Sequence, residues 1–306
     1  MRALIKNNFS NSFLTIGSKQ DPILSDDQLL IKVEAFSLNR ADYLYLNMPE
    51  IDWTVGIDFV GTVIKSNSII EDIPIGSRVM AHSPIGGGGA ELASVNVNNV
   101  IKLPSNIDIS TAAALPLSGL MALRMLREAK IKSGQNILIT GATGGVGAIT
   151  AELAIQAGVN VTVLTRDIST ATYLRELGAD IVSSLDNLSK QFDVVFESVG
   201  GEIIAKAIKN LKRNGLILWF GQASGQPAQL DFFSLFGGHE SMTLKHFVYN
   251  DLPDIDDKAD LSELLKLVSD DKLHLDIEVN NWSETGKILQ KIKEGQFRRK
   301  AVFMVE

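Results

Sequence analysis

The pattern of apolar and polar residues divides the chain into regions of different character. Up to about residue 110, short alternating runs predict β-strands, most clearly over 28–36, 59–64 and 77–80. Four consecutive glycines, 86–89, fit no regular element, and we expect a loop or a sharp corner there rather than a ligand-contacting loop. The first part of the chain is therefore predicted to be rich in β-structure.

Beyond residue 110, predicted strands and helices alternate. Ser110 can cap a helix over 111–129. The strands that follow are predicted over Asn136–Thr140, 161–165, 181–182, 193–197 and 216–220. Alternation at this spacing is typical of parallel βαβ units with right-handed crossovers. After residue 248 the pattern mixes again, with helices over 261–270 and 284–294 and a strand over 301–305.

A glycine-rich turn follows the first strand of the alternating region. The run is Gly141-Ala-Thr-Gly-Gly-Val-Gly147, and an amphipathic helix is predicted directly behind it, over 148–157. A helix N-terminus offers unpaired N–H groups and the positive end of the helix dipole, and both favour a pyrophosphate. The spacing matches the dinucleotide fingerprint G-x-G-x-x-G with its first glycine replaced by alanine. The candidate contacts are Ala142, Thr143, Gly144, Gly145, Val146 and Gly147.

Length and charge exclude several classes of protein. The 306 residues are enough for two domains, and the formal net charge of −7 gives no electrostatic support for a nucleic-acid partner. No apolar run reaches the length of about 18 residues that a membrane span needs. Because the first residues lack the apolar core of a signal peptide, we expect a cytoplasmic protein.

The chain contains no cysteine and four histidines. Disulfides, thiolate nucleophiles and cysteine-based zinc sites are therefore excluded. The pair His239 and His246 is spaced too widely for i, i+4 metal binding on a helix. We expect these two histidines, with His82 and His274, to lie in loops or on the surface, and we expect no metal.

The glycine turn alone also matches short-chain dehydrogenases, through Thr140-Gly141-x-x-x-Gly145-x-Gly147. That class needs a Tyr-x-x-x-Lys pair, in which the lysine lowers the pKa of the tyrosine for proton transfer. The residues four places after Tyr43, Tyr45, Tyr173 and Tyr249 are Asn47, Pro49, Leu177 and Pro253. Since none of them is lysine, this class is disfavoured.

Further motifs follow one another along nearly the whole chain. They are Asn39-Arg-Ala-Asp42-Tyr43, Gly56-Ile-Asp58-Phe-Val-Gly61-Thr-Val63, Gly76-Ser-Arg-Val79, Phe196-Glu197-Ser-Val-Gly-Gly201 and Phe220-Gly-Gln-Ala-Ser-Gly225. Together with the glycine turn they resemble the medium-chain dehydrogenase/reductase superfamily, in its zinc-free quinone oxidoreductase (zeta-crystallin-like) branch. Ser77 stands where that family has aspartate, and Arg299-Lys300 stands where it has Gly-Lys.

The resemblance implies a fold and an activity. The implied fold is α/β, with a Rossmann doubly wound parallel sheet (residues 114–248) inserted into a β-rich GroES-like catalytic domain (1–113 and 249–306). The implied activity is NADPH-dependent hydride transfer, without metal, to a quinone or similar conjugated carbonyl by a homodimer or tetramer. An enone or alkenal double-bond reductase is an alternative. A third hypothesis, from another class, is an NADPH-binding sensor or structural protein without turnover.

The resemblance also implies site residues. The catalytic candidates are Asn39, Asp42 and Tyr43. The cofactor-binding candidates beyond the glycine turn are Thr165, Arg166, Ser198, Phe220, Gly221 and Phe247.

Preference between the two nicotinamide cofactors depends on the residues that end the second strand. A carboxylate there accepts hydrogen bonds from the ribose of NADH, whereas an arginine accommodates the 2′-phosphate of NADPH. Thr165 and Arg166 occupy this place and favour NADPH. Asp167 would favour NADH if the strand ran two residues further, and the spacing from Gly147 does not separate the two arrangements.

Overall fold

The computed structural model describes residues 1–7, 13–48, 52–297 and 299–306, which form two compact units. The strands are β1 (Arg2–Lys6), β2 (Leu14–Ser18), β3 (Gln28–Ser37), β4 (Asp58–Ser66), β5 (Arg78–His82), β6 (Leu92–Asn96), β7 (Val100–Lys102), β8 (Asn136–Thr140), β9 (Asn160–Leu164), β10 (Asp180–Val182), β11 (Phe192–Glu197), β12 (Leu211–Trp219), β13 (Thr243–His246), β14 (Ile277–Asn281) and β15 (Lys300–Met304). The helices are α1 (Arg40–Leu46), α2 (Ile109–Ala114), α3 (Pro116–Glu128), α4 (Gly145–Gln156), α5 (Thr172–Glu176), α6 (Glu202–Lys209), α7 (Asp257–Ser269) and α8 (Thr285–Lys293).

The second unit is a continuous insertion in the sequence of the first. The first unit comprises Met1–Leu120 and Asp256–Glu306, and the second comprises Met121–Ile255. The observed boundaries follow residues 120 and 255, and each expected boundary, after residue 113 or 248, lies seven residues earlier. The first of the two observed boundaries falls inside α3.

The first unit is built on a seven-stranded sheet. Its main path is β14-β15-β3-β4-β5-β7. The long strand β3 pairs with β4 along one edge and with both β6 and β15 along the opposite edge. Alternate residues of these strands fill a core in which Phe36 of β3 stacks on Phe303 of β15, with ring centroids 5.1 Å apart. Strands β14 and β15 therefore bring residues from beyond the insertion into this sheet, with β15 beside β3 and β14 at the end of the path.

The four glycines at 86–89 form a tight corner between β5 and β6. Gly87, Gly88 and Gly89 donate their N–H groups to the carbonyls of residues 54–56 at 2.7–2.9 Å. A Cβ at Gly88 would lie 2.8 Å from the carbonyl oxygen of Gly56, so the two backbones approach as only glycine permits.

The second unit contains a six-stranded parallel sheet in the order β10-β9-β8-β11-β12-β13. Numbered by chain position, this is 3-2-1-4-5-6, the order of dinucleotide-binding doubly wound folds. Its strands read as continuous apolar runs, such as the fully buried 137–139, because both faces of such a sheet are covered. The strand order reverses between β8 and β11, and ligands of this fold class bind at the carboxyl ends of the strands there.

The structure corrects some predicted elements. The helix predicted over 111–129 is two helices, α2 and α3, because Pro116 lacks an N–H group and starts a new helix. The cap of α2 is Asp108 rather than Ser110, since the Asp108 carboxylate accepts hydrogen bonds from the N–H groups of Ser110 and Thr111. Helix α4 begins at Gly145, three residues before its predicted start, despite the low helix propensity of glycine.

Candidate functional site

The glycine turn joins β8 to α4 at the point where the sheet order reverses. Gly141 has φ +64°, and a Cβ there would lie 2.4 Å from the Ser198 hydroxyl oxygen. A Cβ at Gly147 would lie 2.6 Å from the Gly141 carbonyl oxygen and 2.7 Å from the Cα of Ala142. The first turn of α4 thus packs directly on the backbone of the turn, and only glycine fits there.

The N-terminus of α4 presents donors without acceptors. Gly144 is the N-cap, and it provides no side chain to bind the helix N–H groups. Among the described residues, the N–H groups of Gly145, Val146 and Gly147 have no hydrogen-bond acceptor. Unpaired donors of this kind, at the positive end of a helix dipole, form a site for an anion.

The other cofactor candidates end neighbouring strands of the same sheet. Thr165 follows β9, Ser198 follows β11, Phe220 and Gly221 follow β12, and Phe247 follows β13. The loops behind β11 and β12 are bonded together, because the Ala223 N–H donates to the Ser198 carbonyl at 2.9 Å. The structure therefore brings every predicted cofactor residue to the carboxyl edge of one parallel sheet, with Phe247 itself buried.

A buried carboxylate that sequence reasoning did not assign links the two strands at the reversal point. Glu197, at the end of β11, is fully buried and accepts hydrogen bonds from the Thr140 hydroxyl at 3.1 Å and from the Val199 N–H at 2.8 Å. The Gly200 N–H donates to both of its carboxylate oxygens. Burial raises the pKa of Glu197, and these hydrogen bonds act against that rise. In the sequence, Glu197 is marked only as an acidic residue at the end of an apolar strand.

The residues behind β9 match the arrangement that favours NADPH. Strand β9 ends at Leu164, so Thr165 and Arg166 are the first residues beyond it. The Asp167 carboxylate accepts hydrogen bonds from the Ser169 N–H at 3.1 Å and from the Ser169 hydroxyl at 2.6 Å. Arg166 is exposed, and its guanidinium has no hydrogen bond or ion pair among the described residues. Asp167 therefore caps the next turn, while Arg166 is available to a ligand.

The first unit carries a separate buried polar cluster that includes two of the three catalytic candidates. The Asp42 carboxylate accepts the N–H groups of Asn39 and Gly56, each at 2.8 Å. Burial raises the pKa of Asp42 to about 7 in spite of these bonds. Asp42 thus closes the first turn of α1 and fastens it to the loop before β4.

Asp58, the first residue of β4, lies at the centre of this cluster. It accepts hydrogen bonds from the Asn39 side-chain amide at 2.8 Å and from the Leu117 N–H at 3.0 Å, and its Oδ1 lies 3.0 Å from Nδ1 of His82. Burial acts to raise the pKa of Asp58, but the Lys300 ammonium, His82 and Asn39 together hold it below its usual value. The carboxylate also faces the N-terminus of α3, where the helix dipole favours a negative charge.

The third catalytic candidate, Tyr43, packs apart from these groups. Its ring meets Phe13 edge-on with centroids 5.7 Å apart, and the Lys293 ammonium lies 5.5 Å from its centre. The structure brings Asn39 and Asp42 into one polar cluster, whereas Tyr43 contributes to the apolar packing of the first unit.

Two histidines contradict the expected loop or surface position. His82 is fully buried in β5 beside Asp58, and His239 is buried with its Nδ1 2.7 Å from the Leu211 carbonyl oxygen. Each has a polar partner, which is how a buried imidazole is accommodated. His246 and His274 are exposed.

Comparison with known proteins identifies the family. A model of the alcohol dehydrogenase GroES-like domain matches residues 25–105, and a model named for zinc-binding dehydrogenases matches residues 145–270. The quinone oxidoreductase-like protein 2 homolog of Nematostella vectensis is 29% identical over 247 residues, which are 75% of this chain and 67% of the relative. The chain belongs to the medium-chain dehydrogenase/reductase superfamily, in its quinone oxidoreductase-type branch.

Two further similarities illustrate the range of this superfamily. The 2-methylene-furan-3-one reductase of Solanum lycopersicum is 31% identical over 218 residues, which are 64% of this chain but only 55% of that relative. The Escherichia coli quinone oxidoreductase complexed with NADPH has the same fold, with a TM-score of 0.87 at 20% identity and 99% of each chain covered. The expected fold, a Rossmann sheet inserted into a GroES-like domain, is confirmed.

The rest of the described structure was searched for metal sites, membrane-spanning helices and cavities. No group of three histidine or carboxylate side chains in the described ranges could hold a metal ion. No helix in the described part of the chain is long and apolar enough to cross a membrane. A surface cavity of about 380 Å³, lined by Lys32, Glu91 and Glu306 among others, contains none of the predicted site residues.

Proposed function

We propose that the protein is an NADPH-dependent oxidoreductase that reduces a quinone or a similar conjugated carbonyl. The observation that carries the proposal is the row of strand ends at the carboxyl edge of the second unit's sheet. There, the free N–H groups of α4 suit the pyrophosphate of NADPH, and the unpartnered Arg166 suits its 2′-phosphate.

The residues present fit this cofactor. Gly141 and Gly147 leave no side chain between the turn and the α4 N-terminus, so a pyrophosphate can approach the N–H groups of 145–147. Thr165 and Arg166 would hold the 2′-phosphate, because charge-assisted hydrogen bonds favour the additional negative charge. Asp167, the one residue that argued for NADH, is bonded to Ser169.

The remaining candidates would hold the reactive end of the cofactor and the substrate. NADPH supplies a hydride when it is bound. Ser198, Phe220, Gly221 and Phe247 would position the nicotinamide. In the first unit, Asn39 would contact the substrate or cofactor and Asp42 would hold the turn that carries Asn39, while Tyr43 would serve as an apolar wall.

An enone or alkenal reductase is the second candidate function. It is favoured by the likeness to the tomato 2-methylene-furan-3-one reductase, which is as close in identity as the quinone oxidoreductase-like relative. Quinones and enones both accept hydride by conjugate addition, so the same residues suit either substrate.

Cofactor binding tests the first part of the proposal. In fluorescence titrations, Arg166→Ala should weaken NADPH binding about 10- to 150-fold, which corresponds to the loss of one charge-assisted contact, and should leave NADH binding unchanged. Arg213→Ala is the matched control, since Arg213 is an exposed arginine near the opposite end of β12 and should alter neither affinity. Equal weakening of both cofactors by Arg166→Ala would contradict the assignment.

Turnover tests the second part. NADPH oxidation by the purified protein is measured with a benzoquinone, a linear enone and an alkenal. Preference for the quinone supports the first function, and preference for the enone or alkenal supports the second. Tight NADPH binding without oxidation by any acceptor would replace both with a sensor or structural role.

We also propose that the protein is a homodimer or tetramer. Strand β13 ends the six-stranded sheet, and its outer edge has no strand partner in the described part of the chain. The exposed rings of Phe232, Phe233 and Phe236 lie in the same unit. An unpaired strand edge can pair with the same strand of a second copy about a twofold axis. Light scattering after gel filtration tests this, and a monomer would contradict it.

A further inference from the structure

Lys300 is a buried cation that the proposed function has not used. It begins β15 and is only 6% exposed. Its ammonium donates to the Oδ1 of Asn39 and lies 3.5 Å from both the Asp58 carboxylate and the Ser118 hydroxyl. Lysine is almost never buried without partners. Replacing a buried ion pair with apolar residues is often neutral or stabilising, so stability alone does not account for Lys300.

The orientation of the Asn39 side chain depends on this cation. The Asn39 oxygen accepts from Lys300, and its Nδ2 donates to Asp58 at 2.8 Å. A flipped carboxamide would place its NH₂ against an ammonium and its oxygen against a carboxylate, and both contacts are repulsive. The ion pair of Lys300 and Asp58 therefore holds the amide in one orientation.

This orientation leaves one donor available. An asparagine NH₂ has two hydrogens, and only one of them has an acceptor among the described residues, namely Asp58. Asn39 is the N-cap residue of α1, and the Asp42 carboxylate accepts its backbone N–H in a capping box, which leaves the Asn39 NH₂ group outside the cap. Asn39 is 9% exposed, the largest fraction among Asn39, Asp58, His82, Ser118 and Lys300.

Lys300 interacts electrostatically with the other titratable groups of the cluster. Burial lowers the pKa of Lys300, while Asp58 and Asp42 act to raise it. The titratable groups close to it are Asp58, Asp42 and the imidazole of His82, which contacts Asp58. A change at Lys300 is therefore expected to alter the pH dependence of the site as well as its geometry.

We propose that Lys300 is a positioning residue, whose ammonium orients the Asn39 carboxamide so that its second N–H can donate to a carbonyl oxygen. The inference rests on the proposed function. The acceptor is either the substrate carbonyl or the carboxamide of the nicotinamide, two sources with the same hydrogen-bonding chemistry.

The first test follows the Asn39 amide directly. Its NH₂ resonance in a ¹H–¹⁵N spectrum is assigned as the one that Asn39→Asp removes. Lys300→Met should shift that resonance, and Lys300→Arg should restore it. Lys19→Met, which removes another ion-paired lysine of the first unit, should leave it unchanged. An unshifted Asn39 resonance in folded Lys300→Met would overturn the inference. If Lys300→Met does not fold, Lys300→Gln takes its place.

The second test measures binding and turnover. Lys300→Met should lower kcat/KM about 3- to 10-fold, which corresponds to one misdirected hydrogen bond, and should have no further effect in an Asn39→Ala background. A weaker NADPH affinity would identify the nicotinamide carboxamide as the acceptor, and an unchanged affinity with a changed KM for the quinone would identify the substrate. Additive effects of the two substitutions would overturn the inference.

The two proposals can fail separately. A wild-type protein that oxidises NADPH with none of the acceptors refutes the proposed function. In that case the NMR comparison still decides whether Lys300 orients Asn39. Displacement of the Asn39 resonance on adding NADPH alone gives a further readout that does not depend on turnover.

Discussion

Gly147→Ala should destabilise the protein, although the same change in most helices is stabilising. Alanine is favoured over glycine in a helix interior by about 0.5–1 kcal/mol. Gly147 lies in the first turn of α4, where a Cβ would meet the Gly141 carbonyl oxygen at 2.6 Å and the Cα and N of Ala142 at 2.7 and 3.1 Å. All three neighbours are backbone atoms, so no side chain can move aside.

The expected magnitude follows from these distances. An ordinary contact would need the helix to move away by roughly 1 Å, and overpacking of this kind costs about 1–3 kcal/mol. After the gain in helix propensity is subtracted, the net loss is about 0.5–2 kcal/mol. For a unit of this size the loss should lower Tm by about 2–8 °C. NADPH affinity should fall as well, because the displaced turn carries the N–H groups proposed to bind the pyrophosphate.

Gly144→Ala is the matched control. Gly144 has φ −87° and ψ 164°, which any residue adopts, and its nearest neighbour to an added Cβ is the Gly141 carbonyl oxygen at 3.4 Å. We expect Tm within about 2 °C of the wild type, since the lost N-cap preference of glycine over alanine is offset by the lower conformational entropy of the unfolded chain. Thermal unfolding followed by circular dichroism compares the two variants. A Gly147→Ala protein as stable as the wild type would refute the argument.

Substitutions at three other positions test further features. Ser37→Ala should raise the free energy of unfolding in urea by up to about 1 kcal/mol, because the buried Ser37 hydroxyl has no hydrogen-bond partner in the described part of the chain; a lower value would contradict this. Since the pKa of Asp42 is raised to about 7 in the folded state, its contribution to stability should decline as pH rises from about 4 to 7, and Asp42→Asn should remove that slope from a plot of Tm against pH. Glu197→Ala should cost about 2–4 kcal/mol in urea unfolding, because the Val199 and Gly200 N–H groups and the Thr140 hydroxyl lose their acceptor, whereas Glu197→Gln keeps one oxygen and should cost less than half of that. Equal losses for the two Glu197 variants would show that the hydrogen bonds are not the cause.

The parallel sheet could be predicted from the sequence because its signals are local. Strand β8 was predicted with the bounds that the structure has, and the glycine turn behind it placed α4 to within three residues of its observed start. Once strands and helices alternate, parallel pairing places every strand end at one edge. Thr165, Ser198 and Phe220 could therefore be placed at one edge without knowledge of their contacts, whereas Phe247 rested on the family resemblance, because no strand was predicted before it.

The buried cluster of the first unit could not be predicted in this way. Asn39 and Lys300 are 261 residues apart, and they meet because β15 pairs with β3. Periodicity places a residue on a face of a strand, but it does not say which strand lies beside it. His82 shows the consequence, since only the pairing of β5 with β4 brings it to Asp58.

The role of Asp167 was also beyond the sequence. The letters Thr165-Arg166-Asp167 allow either an arginine or a carboxylate to face the cofactor. In the structure the Asp167 carboxylate accepts a hydrogen bond from Ser169, two residues further on, and this supports the proposed role of Arg166. Whether a carboxylate bonds to a nearby backbone N–H or stays open to a ligand depends on the local backbone conformation, which the spacing of residues does not determine.

The position of β15 in the sheet has a consequence for synthesis on the ribosome. Every strand of the second unit lies within Met121–Ile255, so that unit can complete its sheet while residues 277–304 have not yet been made. In the first unit, residues 35–37 of β3 have no partner on one edge until β15 arrives, although β6 already covers residues 28–32. An open strand edge can pair with other chains. The nascent protein therefore carries an open edge at β3, where misassembly can occur, in the interval between the emergence of the second unit and that of β15.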